Sequence, residues 1–335
     1  MERQERREQI LNILAAGIRK VLLNKVPKPE ELQEIRMRLG QPLRVVRGKE
    51  EIVLRSGTEP YIVTKEELRE TMDYISHYSL YAYENELRQG FVTVEGGHRV
   101  GVAGKVIMEK ERVKNIQYIS SLNIRVSHEV LGCADRLIPY IVANKQVCHT
   151  LIISPPCCGK TTLIRDLIRQ ISDGNEYVKG CSVGVVDERS ELGACFKGVP
   201  QCDLGMRTDV MDGCPKALGM VMMIRSMAPG AVAVDEIGDR EDLEALRYVM
   251  KCGCRILATV HGSSPEDLKK KPVLAEMVRE GMFSRYVALS RRLGPGTVEA
   301  VCDGELRLLA GKGCQNEESG AGSPETEGKA EASGA

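Results

Sequence analysis

The run Leu151-Ile152-Ile153-Ser154-Pro155-Pro156-Cys157-Cys158-Gly159-Lys160-Thr161-Thr162 carries the residue types that hold a polyphosphate. The phosphate-loop pattern asks for Gly, four residues, then Gly-Lys-Ser/Thr. Gly159-Lys160-Thr161 meets its end, while Ser154 stands where the first Gly belongs. That first Gly only shapes the turn. The groups with direct chemical duties are present: backbone N–H groups ahead of a helix N-terminus, an ammonium for the β/γ-phosphates and a hydroxyl for Mg²⁺. Ser154, Pro155, Pro156, Cys157, Cys158, Gly159, Lys160, Thr161 and Thr162 are therefore expected to line ATP, with Thr161 a ligand of Mg²⁺. A plain tight turn with a solvated Lys160 is the alternative, and the flanks speak against it. The apolar run 149–153 reads as a buried strand, and Leu163, Ile164, Leu167, Ile168 and Ile171 recur at helical spacing until Asp173-Gly174.

Three more apolar runs end in groups suited to phosphate chemistry. Ala231-Val232-Ala233-Val234-Asp235-Glu236 has the Walker B form, about 75 residues beyond Lys160. Asp235 would hold Mg²⁺ with Thr161, and Glu236 would orient or deprotonate the attacking water. Val185-Val186-Asp187-Glu188-Arg189 offers a second carboxylate, so Glu188 competes with Glu236 as catalytic base, and Arg189 could meet a phosphate or an adjacent subunit. Ala258-Thr259-Val260-His261-Gly262 places His261 where a γ-phosphate could be sensed. Arg225, just before Met227-Ala228-Pro229-Gly230, could stabilise transition-state charge in cis or in trans. Each has a plainer reading: solvated strand ends with local ion pairs, a satisfied polar His, and a helix C-terminal Arg facing the macrodipole.

The elements that must position these groups follow from periodicity. Ile10, Ile13, Leu14, Ile18, Val21 and Leu22 predict one amphipathic N-terminal helix packed on its own domain. Short runs at Pro42–Arg47, Glu51–Leu54 and Tyr61–Thr64 predict strands. A helix over Lys65–Leu87 follows, with Thr64 as N-cap and Gly90 as stop. Phe91–Val94, His98–Met108 and Asn115–Val126 predict further strands around the turns Gly96-Gly97 and Glu109-Lys110-Glu111-Arg112. Residues 1–130 thus read as a small α+β domain, with a boundary near Gly132-Cys133-Ala134-Asp135.

From residue 131 helices and strands alternate. The expected order is helix Asp135–Asn144, strand 149–153, helix 160–171, strand Ser182–Asp187, helix Pro215–Met227, strand Ala231–Asp235, helix Arg240–Lys251 and strand Arg255–Val260. Such alternation predicts an α/β fold with a mostly parallel sheet over 131–312, its ligands at the carboxyl ends of the strands. The segment 313–335, poor in apolar residues, is expected to be a disordered tail.

Composition narrows the class. Lys+Arg and Asp+Glu are both 47 among 335 residues, aromatics make up 4% and Trp is absent. Such a chain offers neither the bulk charge nor the stacking platforms of a nucleic-acid binder. No run approaches the ~20 apolar residues of a membrane span. The twelve cysteines are scattered through an α/β pattern without a secretory signal, so reduced thiols in a cytoplasmic protein are expected rather than disulfides or a zinc site.

With these residues in place the chain resembles the stage III sporulation protein AA family, ATPases of endospore formers related to type II and type IV secretion ATPases. The resemblance rests on Ser154-Pro-Pro-Cys-Cys-Gly-Lys-Thr-Thr162, Val186-Asp-Glu-Arg-Ser-Glu191, Val199-Pro-Gln-Cys-Asp203 and Thr208-Asp-Val-Met-Asp-Gly-Cys-Pro-Lys216. Ile224-Arg-Ser-Met-Ala-Pro229, Val234-Asp-Glu-Ile-Gly238, Thr259-Val-His-Gly262, Arg99-Val-Gly-Val-Ala-Gly104 and Ser120-Ser-Leu-Asn-Ile-Arg125 add to it. The family implies a RecA-like P-loop ATPase core behind an N-terminal domain and a hexameric homo-oligomer. It further implies membrane subunits of the sporulation channel as partners and a peripheral place on the mother-cell side of the forespore membrane. Asp187-Glu188 is similar to the Asp box of secretion ATPases and Thr259-Val260-His261 to their His box. Arg125 is similar to the arginines that an N-terminal domain contributes to nucleotide. Asp235 before Glu236 departs from secretion ATPases, so the catalytic base stays open between Glu236 and Glu188. A nucleic-acid-binding P-loop ATPase and a non-hydrolytic, nucleotide-organised scaffold are the competing functions.

Overall fold

The computed structural model describes residues 3–79 and 83–311, apart from the side chains of residues 3 and 85. In chain order the elements begin with helices α1 (Arg3–Asn12) and α2 (Ala16–Lys25), then strands β1 (Glu34–Arg38), β2 (Arg44–Arg47), β3 (Glu50–Val53), β4 (Arg55–Ser56) and β5 (Glu59–Pro60). Helices α3 (Lys65–Ile75) and α4 (Glu84–Arg88) precede β6 (Phe91–Val94), β7 (His98–Glu109) and β8 (Arg112–Arg125). A small hairpin β9 (Val142–Ala143) and β10 (Gln146–Val147) leads into β11 (Thr150–Ser154), α5 (Lys160–Asp173), β12 (Val183–Asp187) and β13 (Thr208–Asp212). The remainder is α6 (Lys216–Met227), β14 (Ala231–Val234), α7 (Arg240–Lys251), β15 (Arg255–His261), α8 (Pro265–Leu268), α9 (Pro272–Arg279), β16 (Arg285–Ser290), β17 (Thr297–Asp303) and β18 (Leu308–Gly311).

Two sheets organise the chain. The first is antiparallel, in the order β3-β2-β1-β8-β7-β6. Ile10, Leu14, Ile18 and Leu22 pack on its apolar face, against Ile35, Met37, Val100 and Ile124. The second has the order β13-β12-β14-β15-β11-β16-β17-β18. It is parallel from β13 through β16, and β17 and β18 join antiparallel. Its central strands are buried on both sides, as parallel strands between helices must be. Leu151 and Ile153 meet Met220, Leu246 and Met277 on one face, while Ile152 meets Leu163, Leu167 and Leu257 on the other. The expected fold class, a mostly parallel α/β sheet behind a smaller α+β part, is the one observed.

Several expected elements differ. The N-terminal helix is broken at residues 13–15, where Ala15 adopts ψ 147° and its N–H bonds Thr71 Oγ1 at 3.0 Å. Breaking there lets two short helices each lay an apolar face on the sheet. The helix from Lys65 ends at Ile75, with a capping box between Thr64 and Glu67 at its start. His77 and Tyr78, at φ 46° and 62°, turn the chain out of it, and α4 is a separate turn. The segment Tyr61–Thr64 is no strand but a bridge between Ile62 and Pro42, flanked by bonds from Tyr61 to Leu43 and Leu54 and from Val63 to Gly40 and Gln41. The helix expected over Asp135–Asn144 is replaced by turns, one 3-10 turn at Ile138–Tyr140 and the β9–β10 hairpin. Pro139 has no N–H for a helical ladder and closes that turn instead. β1, β13 and β16 to β18 were not anticipated, and the expected disordered tail at 313–335 lies outside the described residues.

Removing the Thr64 hydroxyl deletes one of the two reciprocal bonds of the α3 capping box. Thr64→Ala is expected to destabilise the N-terminal part by about 1 kcal/mol, read as an earlier onset of urea unfolding of the full chain by circular dichroism.

Candidate functional site

The carboxyl ends of β11, β12, β14 and β15 lie side by side because the register is in phase: Ser154 pairs with His261, and Val234 with Ala258. Every group singled out after an apolar run, except Arg225, is thereby delivered to one edge. The loop from Ser154 turns through Cys157 at φ 57° and Gly159 at φ 83° before α5 begins at Lys160. A Cβ on Gly159 would lie 2.7 Å from the Gly296 nitrogen, and Gly296 N–H donates to the Cys158 carbonyl at 2.7 Å. The β16–β17 loop therefore backs the phosphate loop and requires Gly there. Ser154 is buried and donates to the Pro155 carbonyl at 2.9 Å. Pro156 and Cys157 are exposed, Cys158 is buried, and Thr161 and Thr162 are half-buried in the first turn of α5. No side chain caps α5. Its first amides are donors free for an anion.

Lys160 is 7% exposed. Its Nζ lies 2.8 Å from Glu236 Oε1 and 3.2 Å from Asp235 Oδ1. An ammonium out of water needs such partners. Thr259 donates its hydroxyl to Asp235 and accepts the Glu236 N–H at 2.9 Å. His261 Nε2 is 2.8 Å from Glu236 Oε1, and Arg189 lies 3.4 Å from Oε2. Partial burial opposes ionisation of Glu236, but the Lys160 hydrogen bond and charge, then His261 and Arg189, outweigh it and hold the carboxyl below its ordinary range.

Asp187 is not a free acid. Its carboxylate accepts the N–H groups of Glu191, Leu192 and Gly193 at 2.8, 2.9 and 2.8 Å, fixing the loop beyond β12. Burial, with a lesser push from Asp212, raises it to about 6 against those donors. Glu188 is 43% exposed and faces Lys216 at 3.7 Å. Asp187, Glu188, Arg189, Glu191, Lys216, Asp235 and Glu236 surround a cavity of about 100 Å³.

Two sequence candidates sit elsewhere in the chain. Arg225 closes α6 with its guanidinium 6.0 Å from the Tyr248 ring. That helix runs back toward the start of β14, so its C-terminus lies at the edge of the sheet opposite the phosphate loop. Arg125 ends β8, exposed and paired in register with Arg99 and Glu34. From the N-terminal sheet Arg99 reaches this region, bonding Glu191 at 3.0 Å, and Phe91 and Thr93 line a cavity with Glu188 and Arg189. Two groups at the edge escaped the sequence reading. Thr259 was quoted without a role, and Lys216 lay inside a quoted run; a lone Lys opening a helix gives no signal until topology puts it beside β14.

The residues present suit a polyphosphate and a divalent cation. The cradle excludes a Cβ, the α5 amides are uncapped, and Asp235 with the Thr161 hydroxyl supplies hard oxygen donors.

Residues 4–308 match the family described as Sporulation stage III, protein AA. The chain is 41% identical over 304 residues to Stage III sporulation protein AA of Bacillus subtilis (strain 168), covering 90% of this chain and 97% of that one. Among solved structures it is similar to the pilus retraction motor PilT with bound ADP, at TM-score 0.55 and 14% identity over 88% of this chain and 83% of that one. It is likewise similar to the Legionella pneumophila ATPase DotB, at TM-score 0.53 and 14% identity over 79% and 74%. These structural likenesses bear on the fold. Among the described residues no helix is long and apolar enough to cross a membrane.

Gly159→Ala would force a side chain into left-handed backbone and against Gly296. A loss of about 2 kcal/mol is expected, read as a lowered melting temperature of the full chain.

Proposed function

The chain belongs to the sporulation stage III protein AA family, and we propose that it is a Mg²⁺-dependent ATP hydrolase, a ring-forming motor that energises a secretion-like channel between mother cell and forespore. The observation that carries the reading is the buried Lys160 between Asp235 and Glu236 at the end of a parallel sheet, beneath a loop of uncapped amides. ATP phosphates would lie on the amides from Cys157 to Thr162, with Lys160 reaching the β/γ-phosphates. Asp235 and Thr161 would hold Mg²⁺, which when bound neutralises charge on the phosphate oxygens. Glu236 or Glu188 would take the proton of the attacking water, and His261 would orient Glu236.

We place the nucleotide in the unit from 131 to 312, with residues 1–130 as a second unit and 313–335 as a tail. Arg125 and Arg225, remote from the edge within one chain, would serve only across a subunit boundary of a hexamer, where Arg189 would also be well placed. The neutral net charge disfavours nucleic acid as the partner. Membrane subunits of the sporulation channel are the partners we propose, with the protein peripheral at the mother-cell side of the forespore membrane.

Purified protein should hydrolyse ATP with Mg²⁺ and stop on chelation. Lys160→Ala should lower turnover by a factor of about 100 or more, and turnover per chain should rise with assembly. A wild-type protein that binds ATP without hydrolysing it would support a nucleotide-organised scaffold in place of the motor.

A further inference from the structure

Lys216 lies outside the phosphate loop and the two acidic strand ends, yet it touches both acidic ends. It opens α6 directly after Pro215, with its side chain 16% exposed. Nζ donates to the backbone carbonyl of Glu236 at 2.8 Å and stands 3.5 Å from Asp242 Oδ2 and 3.7 Å from Glu188 Oε2. Asp242, 2% exposed, in turn accepts the N–H groups of Gly238 at 2.9 Å and Asp239 at 3.3 Å. The Ile237 N–H bonds the Thr259 carbonyl at 2.9 Å. The turn after β14 is thus gripped on its carbonyl by Lys216 and on its amides by Asp242 and Thr259.

That grip matters because Glu236 is at φ 55°. A non-glycine residue in left-handed backbone costs roughly 1–2 kcal/mol and persists only where its surroundings over-determine it. The conformation turns the Glu236 carboxylate toward Lys160, His261 and Arg189 while its carbonyl points back to Lys216. Glu188 has a different company: the Lys216 ammonium, which lines the same cavity. One lysine therefore separates the two carboxylates that sequence left equivalent.

We propose that Lys216 is a positioning residue of this edge: it holds Glu236 in the orientation that presents its carboxylate to the attacking water, and it takes Glu188 as its counter-ion. Glu236 is then the base and Glu188 supports it through Lys216. The assignment of a base rests on the ATPase reading above; the grip on the turn does not.

Lys216→Met keeps most of the length of the side chain and removes the donor and the charge. Turnover should fall by roughly tenfold or more while the dissociation constant for a non-hydrolysable ATP analogue changes by less than about threefold, the split expected when only a transition-state interaction is lost. Lys216→Arg should recover part of it. Glu236→Gln should cost far more than Glu188→Gln, and Glu188→Gln added to Lys216→Met should cost little further, because coupled residues are non-additive. Amide hydrogen exchange of residues 237–239 should quicken in Lys216→Met by more than exchange elsewhere in the chain, a readout that needs no turnover and stands apart from any general fall in melting temperature. If Lys216→Met does not fold, Lys216→Gln, which keeps a donor for the Glu236 carbonyl but removes the counter-ion of Glu188, is expected to lose turnover by a smaller factor, and wild-type turnover in it overturns the counter-ion half of the proposal. Wild-type turnover and wild-type exchange in the neutral variant overturn the proposal, as does Glu188→Gln proving as damaging as Glu236→Gln. A wild-type protein without turnover, in which Lys216→Met still quickens exchange at 237–239, sinks the ATPase reading and leaves the grip standing.

Discussion

The burial of one ammonium beside two adjacent carboxylates is the constraint from which the rest of this structure follows. Asp235 and Glu236 are neighbours in sequence at the end of an apolar strand, and two anions there repel each other. Lys160, within 3.2 Å of both, makes them compatible, and they make its burial possible. Taking away one member of such a group leaves an unpaired buried charge, at a cost of about 3–5 kcal/mol. The arrangement demands that a loop from β11 and a strand end from β14 meet although β15 lies between them. The parallel sheet supplies that meeting, and β15 fills the gap with Thr259 and His261, which bind the same pair. An incoming polyphosphate would offer Lys160 a second set of anions, and Glu236 would then keep His261 and Arg189 as its cations.

Strain is placed where that exchange would occur. Cys157, Gly159 and Glu236 all have positive φ, at 57°, 83° and 55°. Only one of them is glycine. The two others are held by what packs around them: the Gly296 N–H on the Cys158 carbonyl fixes the loop, and Thr259 with Lys216 fixes Glu236. Ser154 takes the place of the usual first glycine of the loop without positive φ, its hydroxyl turned to the Pro155 carbonyl. The turn is made at Cys157 instead, so the departure from the phosphate-loop pattern moves the strained residue without removing it.

What could be read from sequence was whatever depends on local order along the chain. Apolar runs ending in charge are visible as strings, so the phosphate loop, Asp235-Glu236, Asp187-Glu188 and His261 could all be assigned to strand ends before any coordinates. Their convergence follows once the strands are parallel. Lys216 could not be found that way, because its relevance comes from α6 starting over the end of β14, a fact of three dimensions. Arg225 shows the complementary case. Proximity in sequence to the Walker B strand places it at the start of that strand, at the end of the sheet opposite the phosphate loop within one chain. Helices called from periodicity failed where special backbone intervened, at Ala15, at His77-Tyr78 and at Pro139. β1, β13 and β16 to β18 were passed over although β1 pairs with the following β2, and β16, β17 and β18 with one another; charged and polar residues interrupt their apolar runs, as in Glu34–Arg38 and Thr208–Asp212.

The acidic strand end of β12 does a third thing that neither chemistry nor periodicity suggests. Asp187 is spent on the amides of Glu191, Leu192 and Gly193, and the loop it fixes is the one the N-terminal sheet touches. Arg99 bonds Glu191, and Gly96 N–H bonds Gln201 Oε1 at 2.8 Å. Gly97 packs so closely that a Cβ would come within 2.9 Å of Ala194 Cβ. Arg165 of α5 holds the same loop from the other side through the carbonyls of Glu191 and Leu192. The segment from Asp187 to Gln201 thus begins at the phosphate edge and ends under the N-terminal sheet, bonded to both.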